Sequence, residues 1–347
     1  MKPCRCLPAA VLLMVSTTRV SFATNIPVFI FAGQSTAICS GTDTGLIPSS
    51  ALAPQLNVLL YNARTHYPAT GAVHWATYQA PTGPGFATDC GHANPQGSFG
   101  PEFTTANRIS TRLYGGRPVG VFKYCVGATS LYNDWNPNNP YLYPDMMLWL
   151  SNAITALPLE TGYTGLVAGI FWTQGSSDGL GGTATAAAYG TNLLNFVLTL
   201  RNHFGQPRLP FVYGRTLSQW SNSQGVRDGQ QALTNRLRDV FMVNADDLYM
   251  PTLHYDNNGT MTLGNRYADG LAAVLSSRMC LSVGLSGAVR LRVYGLPASL
   301  YEVEYADGPR STDWHQLITG QTDVLGIFDC QDALPSAQAR YYRFTSR

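Results

Sequence analysis

The chain of 347 residues is nearly without lysine: of its 22 basic residues only Lys2 and Lys123 are Lys, and the rest are Arg. Glutamate is almost as scarce, at Glu102, Glu160, Glu302 and Glu304, and charged residues of both signs make up 12% of the chain. There is no run of basic residues to track a phosphate backbone, and the formal net charge is +2, which excludes nucleic acid as the expected partner. No segment reaches the roughly 18 consecutive apolar residues of a membrane span. The histidines His66, His74, His92, His203, His254 and His315 include no pair at metal-ligand spacing, so no metal is expected. Repeats and low-complexity tracts are missing too. What is present, 45% hydrophobic residues with 34 Gly and 21 Pro, belongs to a globular chain and excludes disorder, collagen and coiled coil.

The first 23 residues read as an export signal. Lys2 and Arg5 precede the apolar run Leu7 to Val15, and Ser21-Phe22-Ala23 puts small residues where a signal peptidase cuts. Without Lys2, Arg5 and Arg19 the chain carries 19 basic against 20 acidic residues and is close to neutral. Five cysteines follow the signal: Cys39, Cys90, Cys125, Cys280 and Cys330. In an oxidising compartment they predict two bridges and one buried thiol, with Cys125, inside an apolar run, as the free one.

Apolar runs of strand length, at Ile26 to Ala32, Val58 to Tyr61, Val119 to Val126, Leu166 to Thr173 and Leu209 to Leu217, alternate with helical patterns. The helical patterns fall at about 101–114, 143–157, 184–204, 226–242 and 261–279. This alternation predicts an α/β fold, a doubly wound, flavodoxin-like parallel sheet with helices on both faces. Two long stretches, 62–100 and 129–142, are rich in Gly, Pro, Asn and aromatics and read as ordered loops near a site. After residue 283 the helical period stops and short alternating segments predict a small all-β, sandwich-like module. The expected domains are therefore 24–282 and 283–347. Trp314 and Tyr305 in the module read either as sugar platforms or as core.

Three clusters can carry chemistry. Gly33-Gln34-Ser35 follows the first apolar strand, where a turn exposes a serine and leaves backbone N–H groups for an oxyanion. Leu253-His254-Tyr255-Asp256 lies before the last helical pattern, where a histidine can reach that serine. Trp172-Thr173-Gln174-Gly175-Ser176-Ser177-Asp178 ends another strand and offers a side-chain amide.

Taken in order, these clusters join Gly100-Pro101-Glu102, Lys123 with Gly127-Ala128-Thr129-Ser130-Leu131 and Trp135, and Leu263-Gly264-x-Arg266. Gly214-Arg215, Val226-Arg227 and Gln230 add lesser matches. The series resembles the SGNH hydrolases, in the branch of sialate O-acetylesterases and carbohydrate esterase family six, over residues 26 to about 280. The resemblance implies a secreted serine esterase that removes O-acetyl groups from carbohydrate and needs no cofactor. Ser35 would be the nucleophile and His254 the base; the oxyanion donors would be the Ser35 and Gly127 backbone and the Gln174 side chain. Gln34, Glu102 and Asp178 would support the motifs.

The chain departs from the family pattern where an acid is usual. Pro251 stands three residues before His254 in place of the customary Asp, and Ser176 replaces the Glu of the third block. Thr36 stands for the usual Asn, and Gly127-Ala128 for a Gly-Gly pair. The group that orients His254 is then Asp256, Asp247, Asp178 or a backbone carbonyl. A glycan-binding relative without turnover is the alternative, and retention of both Ser35 and His254 favours the enzyme. A near-neutral chain favours acetylated xylan or a similar polysaccharide over sialic acid. The β module is expected to bind glycan or a partner domain.

Overall fold

The computed structural model describes residues 24–38, 40–64, 73–80, 98–139, 141–275, 278–283, 288–308, 310–333 and 340–347. Residues 1–23, which the sequence reads as an export signal, Cys39, Cys90 and most of the 62–100 loop lie outside them.

In chain order the main elements are β1 (Thr24–Gly33), α1 (Ser35–Ile38), β2 (Gln55–Arg64), β3 (Ala76–Tyr78), α2 (Glu102–Arg108), β4 (Val119–Cys125) and α3 (Leu142–Thr161). They continue with β5 (Tyr163–Thr173), α4 (Ser176–Leu180), α5 (Thr183–His203), β6 (Phe211–Gly214), α6 (Ser223–Arg236), β7 (Val240–Val243) and α7 (Asn257–Val274). Seven strands form one sheet in the order β3-β2-β4-β1-β5-β6-β7, all parallel except β3, which runs antiparallel to β2. Stripped of its β2–β3 edge, the order β4-β1-β5-β6-β7 is the flavodoxin-like 2-1-3-4-5 arrangement that the sequence predicts.

The pleat explains why the central strands read as unbroken apolar runs. Along β1, Ile26, Val28, Ile30 and Ala32 face one core, shared with Met146 and Leu150 of α3 and Leu193 and Phe196 of α5. Phe29 and Phe31 face the other, shared with Phe103 of α2 and Leu263, Tyr267 and Leu271 of α7. A strand buried on both faces has no polar alternation to show.

Two helical expectations overrun their helices. The pattern at 226–242 is α6 followed by the edge strand β7, because Leu237 turns extended at φ −121° and ψ 142° and ends the helix, and Asp239 at a left-handed φ of 61° leads into the strand. Arg208 pairs with the Asp239 carboxylate at 2.6 Å, and the buried Arg201 guanidinium donates to the Asp239 carbonyl at 3.1 Å. The pattern at 261–279 is α7 followed by β8 (Arg278–Val283).

The C-terminal strands are β8, β9 (Val289–Tyr294), β10 (Leu300–Ala306), β11 (His315–Gln321), β12 (Ile327–Asp332) and β13 (Tyr341–Ser346). They form two three-stranded antiparallel sheets, β11-β10-β13 and β12-β9-β8, around a small core of Leu291, Val293, Tyr301 and Val303. This is the small all-β module foreseen from the alternation. It meets the main sheet where β4 and β6 begin: Tyr114 Oη donates to the Val324 carbonyl at 2.9 Å, and the Arg208 guanidinium lies 4.9 Å from the Tyr294 ring centre. Arg343 covers the Trp314 ring at 4.3 Å and Arg340 the Tyr305 ring at 4.0 Å, so these aromatics are occupied by guanidinium stacking.

The two-bridge expectation fails. Cys125 is a buried free thiol, as foreseen, but Cys330 is free as well. The three remaining cysteines admit at most one bridge. Burial pushes the Cys125 thiol up to about 12, which leaves it an inert core residue.

Candidate active site

The site lies where β1, β4 and β5 end. Gly33 closes β1 at φ 140°, and a Cβ there would sit 2.2 Å from the Thr173 carbonyl oxygen, so only glycine lets β1 and β5 end this close together. Gln34 N–H donates to that carbonyl at 3.0 Å. The next residue, half-buried Ser35, begins the four-residue helix α1. Gln34 ties two motif blocks to each other, its Nε2 donating to Ser176 Oγ at 2.5 Å and its Oε1 accepting from Gly175 N–H at 3.1 Å. The serine that replaces the usual Glu of the third block is therefore an acceptor for Gln34.

His254 comes to this turn from 219 residues away: its Nε2 lies 2.8 Å from Ser35 Oγ. A neutral imidazole in that contact accepts the serine proton at Nε2 and carries its own proton on Nδ1. The histidine sits two residues before the N-cap of α7, where Asp256 Oδ1 accepts from Gly259 N–H at 2.7 Å. Behind it passes the segment after α1. A Cβ on Gly41, at φ 91°, would sit 2.8 Å from His254 Cβ and 2.4 Å from the Tyr255 carbonyl oxygen. Asp43 and Asn257 lock that segment to α7 by reciprocal bonds of 2.7 and 2.8 Å.

The loop that carries His254 leaves β7 and is clamped twice. Asp246 takes Arg227 of α6 at 2.6 and 2.9 Å and Arg215 at 3.2 Å. Asp247 takes both terminal nitrogens of Arg266 from α7, at 2.6 and 2.7 Å. The hydrogen bonds from these guanidinium groups hold both carboxyls below the usual carboxylate range, Asp247 to about 2. Neither Arg–Asp partnership shows in the sequence, although Arg227 and Arg266 do stand in the family-like blocks.

On the far side of Ser35, Gly127 and Ala128 follow β4. No acceptor among the described residues takes the backbone N–H of Ser35 or Gly127. Asp178 is fully buried and organises the loop beyond them, accepting from Leu131 N–H at 2.9 Å and Tyr132 N–H at 3.0 Å. Desolvation raises its carboxyl while these bonds and Gln174 oppose the rise. The Gln174 amide nitrogen donates to the Thr129 carbonyl at 3.0 Å and to Asp178 Oδ2 at 2.5 Å, so both of its N–H bonds stay within the protein. Glu102 is buried and paired with Lys123 at 2.7 Å.

Beside the pair an open cleft is lined by Thr36, Ser176, Arg215, Trp220, Met250 and Leu253. It flanks both reacting groups through their chain neighbours. Trp220, in the loop after β6, carries no sequence signal of its own; only the fold brings it here.

Residues 25–273 match the family model described as carbohydrate esterase, sialic acid-specific acetylesterase. The chain belongs to this family. As a member of this carbohydrate acetylesterase family it is a carboxylic ester hydrolase, which agrees with the resemblance read from its motifs. No curated protein matches the chain. Among solved structures, a protein from Arabidopsis thaliana is similar at 22% identity and a TM-score of 0.57, over 72% of this chain and 98% of that one. A carbohydrate acetylesterase from Xanthomonas citri is similar at 16% identity and a TM-score of 0.47, over 91% of this chain and 80% of that one. A family two carbohydrate esterase from Cellvibrio japonicus gives 13% identity and 0.38, over 73% and 62%. At these identities the first structure speaks for the fold alone, and the family rests on the family model. No helix among the described residues of the esterase is long and apolar enough to cross a membrane.

Proposed function

We propose that this esterase is exported and removes acetyl groups from a neutral polysaccharide by a Ser–His mechanism. The observation that carries the reading is the 2.8 Å contact between Ser35 Oγ and His254 Nε2, at strand ends where the backbone N–H groups of Ser35 and Gly127 meet no acceptor among the described residues. Ser35 Oγ attacks the acetyl carbonyl while its proton passes to His254 Nε2. The carbonyl oxygen becomes an oxyanion received by the N–H groups of Ser35 and Gly127, each such donor worth about 3 to 4 kcal/mol in the transition state. His254 returns the proton to the departing sugar oxygen, which leaves as an alcohol, and Ser35 holds the acetyl group. Water, deprotonated by the same histidine, then attacks the acetyl carbonyl, the bond to Ser35 Oγ breaks, acetate leaves and His254 returns the proton to Oγ. No metal or cofactor takes part in these steps. Rotation of the Gln174 amide away from Thr129 would add a third oxyanion donor.

Asp178 and Asp247 have both carboxylate oxygens engaged elsewhere, whereas Asp256 engages one. The orienting role for Nδ1–H therefore falls to Asp256 or to a backbone carbonyl. The one arginine that lines the cleft among the described residues, Arg215, is bound to Asp246, which favours a neutral sugar over one with a carboxylate. Export follows from the signal-like N-terminus. Against the boundary of 282/283 expected from the sequence, the esterase domain ends after α7 and the β module, which serves as an accessory domain, begins with β8 at Arg278.

The test is acetate release by residues 24–347 from p-nitrophenyl acetate, acetylated xylan and O-acetylated sialic acid. Turnover on the first two that disappears in both Ser35→Ala and His254→Ala supports the mechanism. Turnover that survives Ser35→Ala removes it, and a preference for sialic acid removes the neutral-polysaccharide reading.

A further inference from the structure

After residue 2 the chain contains a single lysine, Lys123, against 20 arginines, and that lysine is buried beneath the nucleophile turn. Along β4, Phe122 and Tyr124 face one core while Val121 faces the other, so the pleat turns Lys123 and Cys125 toward the α1 side. Lys123 Nζ donates to Glu102 Oε1 at 2.7 Å and to the carbonyl of Ile38, the last residue of α1. The carboxylate is itself pinned, its Oε1 accepting from Gly100 N–H and Tyr78 Oη, each at 3.2 Å.

A helix of four residues cannot hold itself in place. Among the described residues the buried apolar cluster that supports α1 is small, Ala37 and Ile38 on Cys125. A compact ammonium can reach one carbonyl and one carboxylate oxygen in this slot, which a planar guanidinium fork does not match. A buried ion pair is also a poor device for stability alone, because an apolar pair of the same volume does as well or better. What the pair supplies is geometry.

We propose that Lys123, backed by Glu102, is a positioning residue for the nucleophile: by gripping the C-terminal carbonyl of α1 it fixes the direction in which Ser35 Oγ and its N–H meet the ester. The proposal rests on the reading of Ser35 as nucleophile.

The test compares Lys123→Met and the double variant Lys123→Met/Glu102→Met, which leaves no unpaired buried charge if the single variant fails to fold. In whichever variants keep a cooperative thermal transition, kcat on p-nitrophenyl acetate falls at least about tenfold, because small displacements of a nucleophile are costly. KM stays within about twofold, and the rate at which a fluorophosphonate labels Ser35 falls by the same factor as kcat. A folded double variant with undiminished kcat, or with KM raised and labelling unchanged, overturns the proposal. Ser35→Ala is measured alongside. Turnover that survives it removes the nucleophile assignment itself, whereas turnover lost in Ser35→Ala and intact in the double variant removes the role of Lys123 alone.

Discussion

The two halves of the proposed catalytic pair are held by different physics. Ser35 stands on the buried frame of the sheet: a glycine pressed against the neighbouring strand, an amide that bridges two blocks, and a buried ion pair below. His254 rides a loop at the surface, between Leu253, which is 60% exposed, and the clamps of Asp246 and Asp247 to arginines from the helices before and after it. Packing and buried hydrogen bonds are little affected by salt, whereas exposed ion pairs are screened. The proposed nucleophile is thus placed by the core, whereas the proposed base depends in part on the exposed Asp247–Arg266 pair, and conditions that leave the fold intact can act on one half of the pair alone.

The largest effects come from removing either half. Ser35→Ala and His254→Ala are each expected to lower kcat by on the order of 10⁴ to 10⁶-fold with the unfolding midpoint unchanged, since residues that act as a unit are lost as a unit. Steady-state turnover beside a denaturant melt checks both. The two sides part company one shell out. Gly33→Ala puts a Cβ 2.2 Å from the Thr173 carbonyl oxygen in the middle of the sheet and is expected to cost about 3 kcal/mol of stability, read by urea unfolding. A small change in unfolding free energy would show that β1 and β5 can part without cost, and that the frame is less rigid than its contacts imply.

The histidine side predicts a dependence on acid and salt. Asp247 titrates at about 2 in the folded state against 3.8 unperturbed, and Asp246 is lowered too. A lowered folded-state value means that the clamps contribute fully above about pH 4 and fade as pH falls toward 2. Asp247→Asn is expected to reduce kcat roughly two- to fivefold, the range open to an exposed pair, and high salt should bring the unaltered esterase partway to the same value. The Lys123 variant keeps both clamps, so its turnover should fall with salt in step with the unaltered esterase and its own defect should not vary with salt. Equal salt sensitivity on both sides would dissolve the contrast between them.

Much of this was legible in the residues. β1, β4 and β5 announce themselves because burial on both faces makes an unbroken apolar run, and Gly33-Gln34-Ser35 marks the turn that such a strand feeds. The edge strand β7, with VFMV directly after a helix, passes for the tail of that helix, and the extended backbone of Leu237 separates the two. β3 is hidden inside a stretch that reads as loop, since three residues hold no period. In the site, the order of the blocks identifies Ser35 and His254, yet the fate of each donor does not follow from order. That Gln174 gives its hydrogens to Thr129 and Asp178, and that Arg227 and Arg266 grip consecutive aspartates, depends on which strand ends become neighbours. The lone lysine was visible as an exception in composition, but its reason is tertiary.

The smallest expected effect tests whether the loop beside Gly127 carries strain. Ala128 sits at φ 58°, in the left-handed region, where the family pattern has a glycine. A non-glycine residue there is disfavoured by about 1 to 2 kcal/mol, while a glycine adds back roughly 0.5 to 1 kcal/mol of freedom in the unfolded chain. Ala128→Gly should therefore raise stability by up to about 1 kcal/mol, seen as a higher urea midpoint at constant slope. A lower midpoint would mean that the loop, tied down through Leu131 and Tyr132 to the buried Asp178, accommodates the alanine without strain. In that case the substitution stiffens the oxyanion side, and the rigid half of the site extends from Ser35 across to Gly127.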